Sequence, residues 1–255
     1  MRLLYPAVEE PAELDDDELA RVYAYPDPAA PGRGWVRANF VSTLDGSATG
    51  PDRLTGSINT TPDRVVFALL RSLADVILVG AGTARAEGYR PPEADPRWAG
   101  IRVGRPSAPA MAVVTRSGLL PPLLRGVPDA DLYLVTCANA PAPQLQRSRE
   151  SLGSARVIVS GSDDVDLPAA VSALSERGLG KILCEGGPHL VHDVAAAGVL
   201  DELCLTTSPM VVGGHHSRIL AGGAVNLGFE LWSLVAAGST VLGRWVRTAH
   251  RPPDP

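Results

Sequence analysis

Residues 75–88 read DVILVGAGTARAEG, and this stretch indicates the class of fold. Its first six residues form a short, nearly continuous apolar run, which is typical of a strand that is buried on both faces of a sheet. Gly80 and Gly82 follow the run, and the residues after them have helical composition. A buried strand that ends in glycine and leads into a helix predicts a β–α–β unit of a parallel sheet.

The same order of apolar strand, glycine and helix is predicted again towards the other end of the chain. Residues 181–187 read KILCEGG, and a helix is predicted from Pro188 to about Ala197. Between the two stretches lie three further apolar runs and one helical pattern, at residues 110–115, 131–137, 156–160 and 167–178. This alternation favours a single α/β domain with a mostly parallel sheet that is flanked by helices.

Two upstream segments extend the predicted sheet. Residues 35–46, WVRANFVSTLDG, have the composition of a strand that closes on an Asp-Gly turn. Thr61 and Pro62 predict the N-cap and the first position of a helix that continues to Leu73. The proline-rich residues 89–109 predict a long irregular loop, and loops of that length are often functional.

The two ends of the chain are expected at the periphery. Residues 1–33 are acidic and broken by proline, so we expect an N-terminal arm with one helix around Asp15–Val22, ahead of a domain that spans residues 34–250. Residues 229–238 and 239–247 predict an antiparallel pair of strands at the edge of the sheet.

Composition excludes several classes of function. The 255 residues carry a formal net charge of −5, which argues against a nucleic-acid partner. No apolar run approaches the roughly 20 residues that span a bilayer, and no signal peptide is apparent, so we expect a cytoplasmic protein. Cys137, Cys184 and Cys204 are expected to be buried thiols. The motifs of zinc sites and P-loops are absent from the sequence, and we predict no metal site.

The two glycine segments are the first candidates for a binding site. Glycines where a strand meets a helix let backbone N–H groups approach an anion, and two such junctions at one sheet edge fit the phosphates of a dinucleotide. Alternatively, each glycine only permits a tight turn. The first segment lacks the third glycine of a Rossmann fingerprint. Five arginines follow the first segment: Arg85, Arg90, Arg97, Arg102 and Arg105. An arginine that binds a ribose 2′-phosphate would favour NADPH over NADH. Alternatively, these arginines are solvated charges of the loop.

Two acids are candidates because each follows a predicted strand. Asp45 and Glu185 lie at carboxyl ends, where ligands of open α/β sheets bind. The alternative is structural, with Asp45 starting a turn and Glu185 capping the next helix.

Four segments together resemble the pyrimidine reductases of riboflavin biosynthesis. They are S-x-L-D-G at 42–46, D-x-I-L-V-G-x-G-T at 75–83, E-G-G at 185–187 and D-E-L-x-L at 201–205. The resemblance implies a dihydrofolate-reductase-like fold, NADPH as hydride donor, a small-molecule substrate and a homodimer. It also implies site residues. Asp45, Asn39 and Glu185 match catalytic positions of the family. The residues that match its cofactor-binding positions are Gly80, Ala81, Gly82, Thr83, Glu87, Ser57, Asn59, Thr60, Gly186 and Gly187.

The chain departs from this family at two points. It lacks the H-x-E and P-C-x-x-C motifs of the zinc deaminase half, so we expect reduction without deamination. Glu87 keeps one carboxylate of the G-T-x-x-x-D-D-P pattern, but Gly88 and Tyr89 replace the second acid and the proline. The resemblance implies reduction of 5-amino-6-ribosylaminouracil 5′-phosphate at C1′ or of a related compound. The alternatives are a dihydrofolate or pteridine reductase on the same fold and a non-catalytic nucleotide-binding protein.

Overall fold

A computed structural model describes residues 1–6, 13–26, 33–127 and 129–250. In this part of the chain ten strands form one sheet, with helices on both faces. The strands are β1 Arg2–Tyr5, β2 Trp35–Thr43, β3 Val76–Gly80, β4 Ala110–Val114, β5 Leu132–Thr136, β6 Val157–Val159, β7 Lys181–Gly186, β8 Glu202–Ser208, β9 Phe229–Ala237 and β10 Thr240–Arg247. The helices are α1 Asp16–Val22, α2 Thr61–Leu73, α3 Ala81–Ala86, α4 Ala142–Leu152, α5 Leu167–Ser175 and α6 Pro188–Ala196.

The strand order is β1-β9-β10-β8-β2-β7-β3-β4-β5-β6. Every neighbouring pair from β8 to β6 is parallel, and the pairs from β8 to β1 are antiparallel. The predicted mostly parallel sheet is confirmed. Because β2, β7 and β3 are adjacent and parallel, their carboxyl ends meet at the same edge of the sheet.

Strand β3 is buried on both faces, as its apolar run predicts. Val76 and Leu78 pack on one face, in the core that includes α5 and α6. Ile77 and Val79 pack on the other face, in the core that includes α3 and α4. Each of these side chains contributes about 1.5–3 kcal/mol on burial, so the strand is a rigid support for the glycine segment that follows it.

Two local predictions need correction. Helix α2 begins at Thr61, but its N-cap is Thr60, whose hydroxyl accepts from the backbone N–H of Asp63. Helix α4 has no counterpart among the predicted elements, because Leu145 and Ser148 are its only buried residues and its sequence shows little apolar periodicity.

The N-terminal arm is part of the fold where the structure describes it. Helix α1 confirms the predicted helix, and Asp15 and Glu18 form a capping box at its start. Leu19 of this helix is buried in the core, so the expectation of a peripheral arm is wrong for these residues. Strand β1 pairs with β9, and the β9–β10 hairpin is therefore one strand in from the edge, where the sequence predicts it at the edge.

A buried ion cluster fixes the end of the arm to the sheet. The Glu202 carboxylate lies 2.6 Å from Arg37 Nε and 2.7 Å from Arg244 Nε. These two arginines also donate to backbone carbonyls of the arm: Arg37 to Tyr23 and Arg244 to Val22. Burial alone would raise the pKa of Glu202, but the charges of the two arginines lower it to about 2.

The structure also bears on the cysteines and on the absence of membrane-spanning segments within the described residues. The three cysteines, Cys137, Cys184 and Cys204, are buried free thiols, as predicted. No helix in the described part of the chain is long and apolar enough to cross a membrane.

Candidate active site

A cleft of about 670 Å³ opens near the carboxyl ends of β2 and β7. One wall is the β2 segment 39–41, and a second is the face of α2 that includes Phe67 and Arg71. Thr83 and Glu87, after β3, form a third. The proline-rich loop supplies residues 89–96, so the predicted long loop lines this cleft.

Glu185, at the end of β7, is a buried acid that lines the cleft. Its two carboxylate oxygens accept from Arg71 Nε at 2.8 Å and Nη2 at 2.7 Å. The Tyr89 hydroxyl donates to the same carboxylate at 2.8 Å. Burial, followed by the charge of Glu185, raises the pKa of Tyr89 well above its ordinary value, so this phenol stays protonated and remains a donor. Glu185 therefore has a fixed orientation.

Arg71 is held by aromatic rings as well as by Glu185. Its guanidinium lies 4.4 Å from the centre of the Phe67 ring, one helical turn earlier, and 5.6 Å from the Tyr89 ring. Sequence reasoning missed Arg71 and Tyr89, because no spacing in the sequence relates either of them to Glu185. Two signals were available for Tyr89: it begins a long loop, and it replaces the proline of the family pattern that follows Gly82 and Thr83.

The two glycine segments touch each other beside this cleft. Strands β3 and β7 are paired, with Val79 opposite Gly186. A Cβ atom on Gly187 would collide with Oγ1 of Thr83. Gly186 has φ +87°, and a Cβ atom there would lie 2.9 Å from the Phe40 ring. Both positions therefore require glycine for steric reasons.

The structure brings five of the expected site residues to the cleft: Asn39, Asn59, Thr83, Glu87 and Glu185. The glycine-segment residues adjoin Thr83 but are outside the cleft lining: Gly80, Ala81, Gly82, Gly186 and Gly187. Two others have structural contacts. Ser57 donates to Asp52 at 2.7 Å, and Thr60 caps α2. Their role in cofactor binding stays a prediction.

Asp45 lies in the exposed turn after β2 and does not line the cleft. Its carboxylate accepts from the Thr43 hydroxyl and from the backbone N–H groups of Gly213 at 2.7 Å and Val212 at 3.2 Å. These hydrogen bonds, that of Thr43 foremost, lower the pKa of Asp45 to about 2. In this geometry Asp45 connects two loops, and a contact with substrate stays a prediction.

The sequence profile described as the RibD C-terminal domain matches residues 34–242, most of the chain. The chain belongs to the RibD C-terminal domain family. A 2,5-diamino-6-ribosylamino-4(3H)-pyrimidinone 5′-phosphate reductase of Methanothermobacter thermautotrophicus is 31% identical over 196 residues, which cover 75% of this chain and 85% of the relative. A reductase of the same name from Archaeoglobus fulgidus is 28% identical, with 75% and 87% covered.

Among solved structures, the fold is similar to that of a pyrimidine reductase-like protein from Corynebacterium diphtheriae. The TM-score is 0.72 at 25% identity, with 84% of this chain and 92% of the other covered. Membership of the RibD C-terminal domain family confirms the resemblance that the sequence motifs indicated.

The RibD-type cleft of this chain contains a second buried acid, which sequence reasoning used only as a helix-start signal. Asp63, in the first turn of α2, is 4% exposed and lines the cleft. Its carboxyl accepts from the Thr206 hydroxyl of β8. Burial raises its pKa, while the Thr206 hydrogen bond and the charge of Arg64 act in the opposite direction.

Three of the five candidate arginines of this RibD family member have structural partners. Arg97 pairs with Asp16, Arg105 pairs with Asp75, and Arg102 donates to four backbone carbonyls. Within the described residues, the side chains of Arg85 and Arg90 make no hydrogen bond or ion pair. They are therefore the candidates that remain for a phosphate.

Proposed function

We propose that this protein is an NADPH-dependent reductase of a ribosylaminopyrimidine 5′-phosphate, the substrate class in the names of its relatives. The observation that carries the proposal is the contact between Thr83 and Gly187, which places two glycine-containing backbone segments beside a cleft with a fixed carboxylate. Such paired segments at the carboxyl ends of neighbouring parallel strands suit a dinucleotide.

The residues present fit this cofactor. A Cβ atom on Gly82 would meet no heavy atom within 4 Å, so the first segment borders open space. Gly186 and Gly187 leave the second segment free of side chains. We assign the pyrophosphate side of NADPH to the backbone of residues 80–83 and 186–187. NADPH supplies the hydride when it is bound.

The side chains of the cleft would orient the substrate. Reduction at C1′ would break the bond to the ribose ring oxygen, which would take a proton from solvent, and positive charge would develop on C1′ and its attached nitrogen. Glu185, with Arg71 and Tyr89, forms a preorganised ion pair whose carboxylate end is suited to stabilising that carbon. The Asn39 amide, also in the cleft, would bind a sugar hydroxyl, and Arg90 would bind the 5′-phosphate.

The other interpretations have less support. The relatives are named as pyrimidinone phosphate reductases, which favours neither a dihydrofolate or pteridine reductase nor a non-catalytic nucleotide-binding protein. A homodimeric state, which the family resemblance implies, and a cytoplasmic location, which composition suggests, are part of the proposal.

Thermal unfolding tests the cofactor, and turnover tests the reaction. NADPH at 100 times its Kd should stabilise the protein by about 2.7 kcal/mol, which corresponds to several degrees in Tm at about 2–4 °C per kcal/mol. NADH at the same concentration should give a smaller shift. Oxidation of NADPH should then require a ribosylaminopyrimidine 5′-phosphate. Absence of a shift with either nucleotide would contradict the cofactor assignment.

A further inference from the structure

Helix α3 ends in a turn that depends on Gly88 and Tyr89. Gly88 has φ +68°, in the left-handed region that favours glycine. The backbone N–H of Tyr89 donates to the carbonyl of Ala84, five residues earlier, at 2.9 Å, which is the closing hydrogen bond of a Schellman motif. Proline has no N–H and could not form this bond. The two residues that depart from the G-T-x-x-x-D-D-P pattern are therefore one structural unit.

This turn directs the side chain of Tyr89 towards the ion pair in the cleft. Its partly buried ring packs against the apolar cluster that includes Ala84, a contact that commonly accompanies a Schellman motif. Its hydroxyl donates to the Glu185 carboxylate at 2.8 Å, and its ring centre lies 5.6 Å from the Arg71 guanidinium. Tyr89 therefore interacts with both members of the pair.

Arg71 and Tyr89 hold the Glu185 carboxylate from different parts of the fold. Arg71 belongs to α2, and its side chain is long and 29% exposed. Tyr89 directly follows the β3–α3 unit, whose residues 80–83 are the proposed cofactor segment. The hydroxyl of Tyr89 thus sets the position of the carboxylate relative to the side of the cleft where the hydride donor is expected.

We infer that Tyr89 is a positioning residue that holds the Glu185 carboxylate at the reacting carbon, and that the turn at Gly88 holds Tyr89 in place. This inference rests on the proposed function. A small displacement of a catalytic group lowers the rate of the chemical step. Loss of the Tyr89 hydroxyl should therefore lower kcat and have little effect on KM.

Tyr89→Phe tests the hydroxyl, because the ring and the backbone N–H are kept. We expect kcat to fall about tenfold, as for loss of one hydrogen bond to a charged group. KM, the Kd for NADPH and the Tm should stay close to the wild-type values. The control Tyr133→Phe removes a hydroxyl outside the cleft lining and should leave kcat unchanged. An unchanged kcat in Tyr89→Phe, or a loss that lies wholly in KM, overturns the role of Tyr89.

A double-mutant cycle tests whether Tyr89 acts through Glu185. Glu185→Leu removes the acceptor that Tyr89 and Arg71 share. Adding Tyr89→Phe to this variant should reduce the rate far less than it does in the wild type, because the interaction is already lost. Single-turnover measurements with NADPH resolve the slow rates. Equal fold-losses in the two backgrounds would show that Tyr89 acts independently of Glu185 and would overturn the inference.

Gly88→Val tests the turn with the Tyr89 hydroxyl still present. A β-branched residue rarely adopts a positive φ, so valine should displace Tyr89 and lower kcat as Tyr89→Phe does. Gly153 has φ +81° and lies outside the cleft lining. The control Gly153→Val should therefore lower the Tm and leave kcat unchanged. A wild-type kcat in Gly88→Val, or equal losses of kcat in both glycine variants, overturns the role of the turn.

The wild type separates this inference from the proposed function. If it reduces a ribosylaminopyrimidine 5′-phosphate with NADPH and Tyr89→Phe does so at the same rate, the role of Tyr89 is overturned and the reductase proposal stands. If the wild type does not reduce such a compound, both are contradicted.

Discussion

Arg71 and Glu185 form a two-bond ion pair across the cleft although 114 residues separate them in the chain. The side chain of Glu185 is 2% exposed and that of Arg71 is 29% exposed. The carboxylate therefore depends on Arg71 and Tyr89 for its hydrogen bonds and has little access to water. The pair joins α2 to the end of β7 and fixes the orientation of the Glu185 carboxylate in the candidate active site.

Replacement of Arg71 by leucine should destabilise the protein and impair turnover. Removal of one partner of a buried ion pair costs about 3–5 kcal/mol, and partial exposure of Arg71 places the expected loss near 3 kcal/mol. Urea unfolding measures this loss. We expect kcat to fall at least about tenfold, because without Arg71 the Glu185 carboxylate loses the two hydrogen bonds that fix its orientation.

The double variant Arg71→Leu/Glu185→Gln is the control for this prediction. Glutamine removes the unpaired charge, so the double variant should recover part of the lost stability while turnover stays low. A loss below about 1 kcal/mol for Arg71→Leu would show that the pair behaves like a surface ion pair.

The sequence predicted the elements whose signals are local. Strand β3 has a continuous apolar run that ends in glycine, and helix α2 has apolar periodicity after threonine and proline. Their positions therefore follow from 75–80 and 61–73 within a residue or two. Strand β1 is four residues long, and only its pairing with β9 makes it a strand. Helix α4 is mostly polar and exposed, so its sequence carries no comparable signal.

In the candidate site, too, the sequence predicts only the residues that have a local signal. Glu185 was predicted because it ends a buried strand, which is a local property. Arg71 and Tyr89 became site residues only through contacts across the tertiary structure. Asp45 was correctly placed in a turn, but the N–H groups of Val212 and Gly213 that bind its carboxylate come from a distant loop.

Gly187→Ala should destabilise the protein because the new methyl group would collide with Oγ1 of Thr83. The added Cβ would lie 3.5 Å from Thr83 Cβ, an ordinary contact, so Gly187→Ala/Thr83→Ala should restore most of the stability. Overpacking of this kind costs about 1–3 kcal/mol, which thermal unfolding can resolve. Equal stability of the single and double variants would contradict the contact.

Gly82→Ala should act on cofactor binding and not on stability. Its Cβ meets nothing within 4 Å, and alanine is favoured over glycine within helix α3 by roughly 1 kcal/mol. The methyl group would occupy the space through which the backbone approaches the proposed cofactor. We expect an unchanged or higher Tm with weaker NADPH binding by titration calorimetry. Unaltered affinity would place the cofactor elsewhere.

The stability of the protein at acid pH should depend on Asp45. Its pKa in the folded protein is about 2, below the roughly 3.9 of an unfolded chain. The group therefore stabilises the fold above pH about 3.9, and this contribution is lost as the pH falls towards the folded value. Asp45→Asn should flatten the dependence of Tm on pH in that window. An unchanged slope would show that its hydrogen bonds to Thr43, Val212 and Gly213 are absent in solution.

Glu202→Gln should cost much more than loss of a surface acid. It leaves Arg37 and Arg244 buried without a counter-charge, for which about 3–5 kcal/mol is expected. The matched control is Asp16→Asn, whose partner Arg97 is 47% exposed, and which should cost less than about 1 kcal/mol. Chemical denaturation measures both. Similar losses in the two variants would contradict the buried cluster.

Arg85 should contribute to discrimination between NADPH and NADH. It follows the first glycine segment in α3, and unlike Arg97, Arg102 and Arg105 it has no structural partner in the described chain. A guanidinium that meets the 2′-phosphate forms charge-assisted hydrogen bonds, so Arg85→Gln should weaken NADPH binding about tenfold and leave NADH binding unchanged. Arg97→Gln is the control, because that guanidinium already pairs with Asp16. If the ratio of the two dissociation constants is the same in the wild type and Arg85→Gln, Arg85 does not bind this phosphate.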